Sequence, residues 1–295
     1  MPGPVPVEVQ QAVAGGGGVA CRPEDCEALV WLGDSVAQLE QCLDAMRRLR
    51  WVQLPWAGTE WFHHLMKPSV TWTSGSGVLA EPVAEHALML SMAAMRCAGV
   101  SVRQRRWTPT VPGSLFDARV VVVGAGAVAR ALVALLVPFR AHVTVVRRCP
   151  ESIPGVSVVT SDAGRRQALA VADVVILAAP LTAETHHLIE RHALRMMQPN
   201  ACLVNVARGG MVDTEALVEA LEAGWIGGAA LDTTDPEPLP PAHPLWDMDN
   251  CFITAHSAGD LGRSWHRYGE LIADNMCRFA SGRPLRNVVS VERGY

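Results

Sequence analysis

The chain has no marked excess of basic charge, no closely paired cysteines, no uninterrupted apolar stretch and no internal repeat. Each absence removes a class of function. Lys and Arg total 25 against 29 Asp and Glu, a net charge of −4, and the short cluster Arg103, Arg105 and Arg106 does not make a stripe able to follow a phosphate backbone. No nucleic-acid partner is expected. The eight cysteines form no C-x-x-C pair and several lie in apolar runs, where a free thiol behaves as a small hydrophobe, so a reducing cytoplasm is expected. The first residues lack a basic stretch followed by an apolar one, and the most apolar segment, residues 120 to 146, is interrupted by Arg130, Pro138 and Arg140. Neither a signal peptide nor a membrane span is expected. The pairs His63-His64 and His186-His187 lack the i, i+4 spacing of helical metal ligands, so no metal site is expected.

What is present is an ordinary globular composition, 49% apolar and 18% charged, on a chain of 295 residues, long enough for two cores. Residues 1 to 20, with a glycine run at 15 to 18, read as loop. EALVWL, WVQL and VTWT then read as short strands, and residues 36 to 46 and 82 to 98 have helical apolar spacing. After an Arg-, Pro- and Thr-rich stretch at 103 to 114 the alternation becomes regular. Strands are expected at 119 to 123, 142 to 146, 156 to 159, 174 to 178, 201 to 206, 227 to 231 and 251 to 254, with helices between most of them. Such alternation implies βαβ units and a doubly wound parallel sheet. An amphipathic helix is expected at 264 to 280. The resulting division is a first domain over 1 to 108, a second, doubly wound domain over 109 to 262, and a C-terminal helix over 263 to 295 that returns to the first domain.

The run VVVV leads directly into Gly124-Ala125-Gly126-Ala127-Val128-Ala129, which opens a helical segment and matches G-x-G-x-x-G/A in its strand-turn-helix setting. The first glycine permits the tight turn, the second lets a pyrophosphate approach the backbone, and the amides of Ala127 and Val128 belong to a helix N-terminus that attracts anions. About twenty positions further on, where an NAD site carries an acidic residue for the ribose 2′-hydroxyl, stand Arg147 and Arg148. Guanidinium groups pair with a 2′-phosphate through charge-assisted bonds, which favours NADP (NADPH) over NAD. The competing reading is that both arginines are solvated charges at a strand end.

The strand ACLVNV ends at Ala207-Arg208-Gly209-Gly210, with Asp213 as the expected N-cap of a helix closing at Gly224. Arg208 therefore stands at a strand's carboxyl end, where open α/β sheets bind ligands and where a planar guanidinium can grip a carboxylate through two parallel bonds. Glu237 follows the strand GGAAL, and His256 follows CFIT. Each residue alone has an unremarkable reading as surface charge or structural histidine. Together they supply what a carbonyl reduction needs, because a neighbouring carboxylate orients an imidazole and favours its protonated form.

Through GAGAVA, AAPLTAETHHLI, LVNVARGGMVD, GAALDTTDPEPLP and HPLWDMDNCFITAHSAG, about residues 50 to 290 resemble the D-isomer-specific 2-hydroxyacid dehydrogenase family. The resemblance implies a Rossmann cofactor domain beside a smaller, flavodoxin-like α/β substrate domain. It assigns the substrate carboxylate to Arg208, the proton to His256 with Glu237 as its partner, the nicotinamide carboxamide to Asp232, and the nicotinamide site to Pro180, with Ala207 a further cofactor-binding residue. Backbone contacts to substrate fall to Ala57 and Gly58, flanked by Trp56 and Trp61. A 2-oxoacid or 2-hydroxyacid substrate and a homodimer are implied, the latter through the helix around VAEHAL, in which His86 is read as structural. Ala129 stands where the family usually has a third glycine, and Ala255 where it usually has proline. Two alternatives stay open: another small substrate such as formate or phosphite, and a dinucleotide-sensing interaction protein of the kind found among related transcriptional corepressors.

Overall fold

The computed structural model describes residues 5–259, 262, 264–290 and 292 and resolves two compact units, one formed by the chain up to Leu79 together with the segment after Gly259, the other by Ala80–Gly259. In the first, α1 (Val7–Gly15) precedes β1 (Ala28–Val30), α2 (Val36–Ala45), β2 (Trp51–Gln53) and β3 (Thr71–Thr73). The strands pair in parallel in the order β1-β2-β3.

The second unit begins with α3 (Ala80–Met95) and α4 (Ala98–Arg103). It continues through β4 (Arg119–Val123), α5 (Ala127–Leu136), β5 (His142–Val146), β6 (Ser157–Val159), α6 (Asp162–Val171) and β7 (Val174–Leu177). Then come α7 (Arg191–Met196), β8 (Cys202–Asn205), α8 (Thr214–Glu222), β9 (Gly228–Leu231) and β10 (Cys251–Ile253). After it the chain forms α9 (Trp265–Ala280) of the first unit.

The seven strands of the second unit are all parallel, ordered β10-β9-β8-β7-β4-β5-β6. The order reverses between β4 and β7, and in such sheets ligands bind outside the carboxyl ends of the strands at the reversal. Helices cover both faces. Val121 and Val123 of β4 enter one buried cluster while Val120 and Val122 enter the other, which is why this strand is a continuous valine run and not an alternation. The seven strands expected from the sequence are these seven, each shifted by at most one residue at either end. Asp213 caps α8 by accepting from the Ala216 amide at 3.0 Å, and Gly224 beyond its end takes φ 66°.

Three expectations differ from the structure. The glycine run does not make residues 1 to 20 all loop, because Val9 and Ala12 bury against Tyr268 and Ile272 of α9 and thereby hold α1. The first break in the chain's packing lies at residue 79 and not at 108, because Ala84, Ala87 and Leu90 of α3 share a core with Val120 and Val122 of β4 and Leu132 of α5. The second expected boundary, between 262 and 263, falls beside Arg263, which lies outside the described residues. Cys21 and Cys26 form a disulfide across the short turn Pro23–Asp25, which brings their Cα atoms to 5.8 Å without a C-x-x-C spacing.

The first unit is tied together by a fully buried polar chain. Trp51 Nε1 donates to Thr73 Oγ1, which donates to Gln53 Oε1, and that oxygen also accepts from Asn275 Nδ2 of α9 at 3.0 Å. Asn275 Oδ1 in turn accepts from the Arg286 amide at 2.8 Å. Burial also pushes the phenol of Tyr268 far above its usual titration range. Among the described residues no helix is long and apolar enough to cross a membrane.

Candidate active site

Five loops leave the carboxyl ends of five neighbouring parallel strands, β4, β7, β8, β9 and β10, and these carry Gly124, Pro180, Arg208, Asp232 with Glu237, and His256 in turn. Parallel pairing puts all of these ends on one edge of the sheet.

At the β4 loop, Gly124 takes φ 119° and a Cβ there would lie 2.5 Å from the Ala178 carbonyl, so only glycine fits the turn. Gly126 is the N-cap of α5, has no side-chain cap, and faces open space where a Cβ would stand. The first-turn amides of Ala127 and Val128 thus meet a position that no capping side chain fills, which suits a phosphate. Ala129 is 1% exposed and packs in the cluster beneath the helix, so the missing third glycine is accommodated.

Arg147 and Arg148 follow β5, where the ribose end of a dinucleotide is read in this fold. Arg147 is already engaged: Nη2 lies 2.7 Å from Glu151 Oε2 and Nη1 3.1 Å from the Glu151 carbonyl. The guanidinium holds the Glu151 carboxyl below its ordinary value. Arg148, more exposed, lies 3.5 Å from Glu184.

Beyond β8 the buried Asn205 shapes the turn that carries Arg208. Its Oδ1 accepts from the Ala207 amide at 3.0 Å and its Nδ2 donates to the Arg208 carbonyl at 2.9 Å. A Cβ on Gly209 would collide with the backbone of Thr234 in the β9 loop, so the glycine lets the Arg208 and Glu237 loops approach each other. Arg208 Nη1 donates to the Ala207 carbonyl at 2.7 Å.

His256 and Glu237 meet as their chemistry requires, with Nδ1 2.6 Å from Oε1 and both side chains about two-fifths exposed, at 41% and 40%. A carboxylate only accepts, so Nδ1 carries the hydrogen and Nε2 is left as the atom able to hold or release a proton. His256 takes φ 47°, a left-handed conformation that costs a side-chain-bearing residue about 1–2 kcal/mol unless its surroundings impose it. Asp232 imposes it. The Asp232 carbonyl accepts from the His256 amide at 2.8 Å, Oδ1 from the Ser257 amide at 2.9 Å and from Thr254 Oγ1 at 2.6 Å, and Oδ2 from the Ala258 amide at 3.0 Å. The Asp232 carboxylate, with a side chain 1% exposed, thus serves as a clamp on the histidine loop.

Pro180 lies exposed after β7, its carbonyl accepting from Thr185 Oγ1 at 2.7 Å. Ala57 and Gly58 belong to the first unit, in the loop after β2. There Trp56 is partly buried against the cluster around Tyr268, whereas Trp61 is 60% exposed.

Residues 86–258 match the family model described as D-isomer specific 2-hydroxyacid dehydrogenase, NAD binding domain. The chain belongs to this family. An uncharacterized protein in the proB 3′ region of Corynebacterium melassecola is 34% identical over 85% of this chain and 86% of its own length. A glyoxylate reductase of Korarchaeum cryptofilum is 32% identical over 92% of this chain and 85% of its own. Among solved structures, a D-isomer specific 2-hydroxyacid dehydrogenase from Xanthobacter autotrophicus, in complex with NADPH and MES, has a TM-score of 0.82 at 29% identity, covering 96% of this chain and 89% of that one.

Four features of the site escape sequence reading. Asn205, Thr254 and the amides of Ser257 and Ala258 act only through bonds that the fold brings together, and nothing in their spacing announces them. Glu151 could have been suspected, since it stands four residues after Arg147, a spacing that often pairs opposite charges.

Proposed function

We propose that the protein is an NADPH-dependent 2-oxoacid reductase, giving a D-2-hydroxyacid, with His256 as acid/base. The observation that carries this reading is the 2.6 Å bond between His256 Nδ1 and Glu237 at the edge of the sheet where Arg208 and the fingerprint loop also emerge. NADPH, when bound, supplies the hydride that reaches the carbonyl carbon. Gly124 and Gly126 with the amides of Ala127 and Val128 would hold the pyrophosphate, Pro180 and Asp232 would border the nicotinamide, and Ala207 would be a further cofactor contact. Arg208 grips the substrate carboxylate through its planar fork and polarises the carbonyl. His256 Nε2 delivers the proton to the carbonyl oxygen, and Glu237, bonded to Nδ1, keeps the ring oriented.

Arg147 and Arg148 support the choice of NADPH, as does the NADPH held by the Xanthobacter structure. The likeness to a glyoxylate reductase supports a small 2-oxoacid. We also infer a homodimer, because α3 and the segment after it expose Met89, Met92, Val102, Trp107 and Val111, and Trp107 is wholly solvent-exposed. Oxidation of NADPH against a panel of 2-oxoacids, glyoxylate included, tests the activity. Turnover with at least one of them is expected, and tight dinucleotide binding without any turnover would overturn the reading.

A further inference from the structure

His86 projects from α3 to the group that shapes the histidine loop. Its Nε2 lies 2.9 Å from Thr254 Oγ1 and 3.3 Å from Asp232 Oδ1, and its side chain is 16% exposed. The direction of these bonds follows from the partners. A carboxylate offers only lone pairs, so at 2.6 Å Thr254 gives its hydroxyl hydrogen to Asp232 Oδ1. The Thr254 oxygen is then left to accept, and His86 must hold its hydrogen on Nε2. The three consecutive amides of His256, Ser257 and Ala258 all end on Asp232 as well. His86 therefore joins, from 168 residues earlier in the chain, a network otherwise built from the β9 and β10 ends.

We propose that His86 is a positioning residue, whose Nε2–H bridges Thr254 and Asp232 and so holds the loop that presents His256 in its left-handed conformation. The role in reduction rests on the reading of His256 as the proton donor, whereas the effect on the loop does not. A buried carboxylate accepting several donors is directional only while those donors stay in place, and removal of one from a buried network weakens the rest. Asp232 would keep its loop amides, but with one fewer anchor to a core helix.

The test uses the full-length protein and three variants. His86→Phe keeps a ring but removes the donor, His86→Gln restores a nitrogen donor near Nε2, and Thr254→Val cuts the link from the other side. Hydrogen exchange of the amides in residues 254 to 259 is measured without substrate. Loss of one such bond should speed exchange about tenfold in the Phe and Val variants, with the Gln variant close to the parent protein. In turnover, kcat for 2-oxoacid reduction should fall by about the same factor in the Phe variant with little change in KM, and recover in the Gln variant. Unchanged exchange in both the Phe and Val variants overturns the proposal, as does a Gln variant as fast-exchanging as Phe. If His86→Phe does not fold, His86→Leu, which likewise removes the donor, is compared with His86→Gln by the same measurement. Should the parent protein reduce no 2-oxoacid while exchange responds as stated, the functional reading fails and the positioning role stands.

Discussion

Replacing Arg147 by Ala should sharply reduce the preference for NADPH over NADH. The guanidinium is 13% exposed on its side chain and is held by two bonds to Glu151, so it is pre-ordered where the ribose is read. Glu151 itself is 65% exposed, so water screens its hold on Arg147. A 2′-phosphate carries more charge and three acceptor oxygens, so it wins the competition for Arg147. If that contact contributes about 1.5–3 kcal/mol, its loss lowers kcat/KM for NADPH by about tenfold to about 150-fold and leaves NADH nearly unchanged. Arg147→Asp should go further, since a carboxylate repels the phosphate and accepts from the free 2′-hydroxyl. Glu151→Gln should act the other way and strengthen NADPH binding, because it removes the competing charge. Initial rates with each dinucleotide at a fixed 2-oxoacid concentration check all three. A parent enzyme that uses NADH as well as NADPH, or an Arg147→Ala variant with an unaltered ratio, would refute the reasoning.

The other predictions concern substrate grip, thiols and stability. Arg208→Lys keeps the charge but loses the planar fork, and should cost about 1.5–3 kcal/mol in kcat/KM toward 2-oxoacids with dinucleotide affinity retained, measured by initial rates and fluorescence titration. Burial raises the thiols of Cys202 and Cys251 to about 12, so at pH 8 only about one in 10⁴ of each is thiolate, and neither should react with a disulfide reagent on the native protein while exposed Cys42, Cys149 and Cys277 do. Because these folded-state values lie above the unfolded one of 9.0, their contribution to stability is complete below pH 9 and is lost as pH rises toward 12; urea unfolding across that range should show the decline. Asn275→Ala takes one of two donors from Gln53 Oε1 and removes the acceptor of the Arg286 amide, and should destabilise the first unit by about 1–3 kcal/mol, read from chemical unfolding.

The cofactor sheet is legible in the sequence because each of its strands is a short apolar run closed by glycine or a polar turn, and burial on both faces leaves no alternation to misread. The fingerprint at Gly124 to Ala129 is legible for the same reason: its glycines have steric duties that no other residue performs. The conjunction of Arg208, Glu237 and His256 could be seen from strand ends alone, and the structure puts Glu237 and His256 in contact. Helix α1 was hidden by the glycines that follow it, because what holds it is α9, more than two hundred residues away. The packing of α3 on the cofactor core is equally non-local, hence the boundary displaced from 108. Asp232 shows the same limit at the site. Its bonds to the amides of residues 256 to 258 depend on β9 and β10 lying side by side, and a carboxylate read from sequence gives no sign of which donors will reach it.

The central claim is that His256 supplies the proton and Glu237 holds it ready. Measuring kcat/KM for 2-oxoacid reduction by the parent protein, His256→Ala and Glu237→Gln, with NADPH affinity measured beside it, tests it most directly. Reduction consumes a proton at the carbonyl oxygen, so loss of the donor costs rate and not cofactor binding. His256→Ala should lose about a hundredfold to ten-thousandfold in rate while still binding NADPH. Glu237→Gln should also lose rate, because the carboxylate that holds the Nδ1–H and orients the ring is gone. Near-parental turnover in His256→Ala, or in Glu237→Gln, would contradict the account.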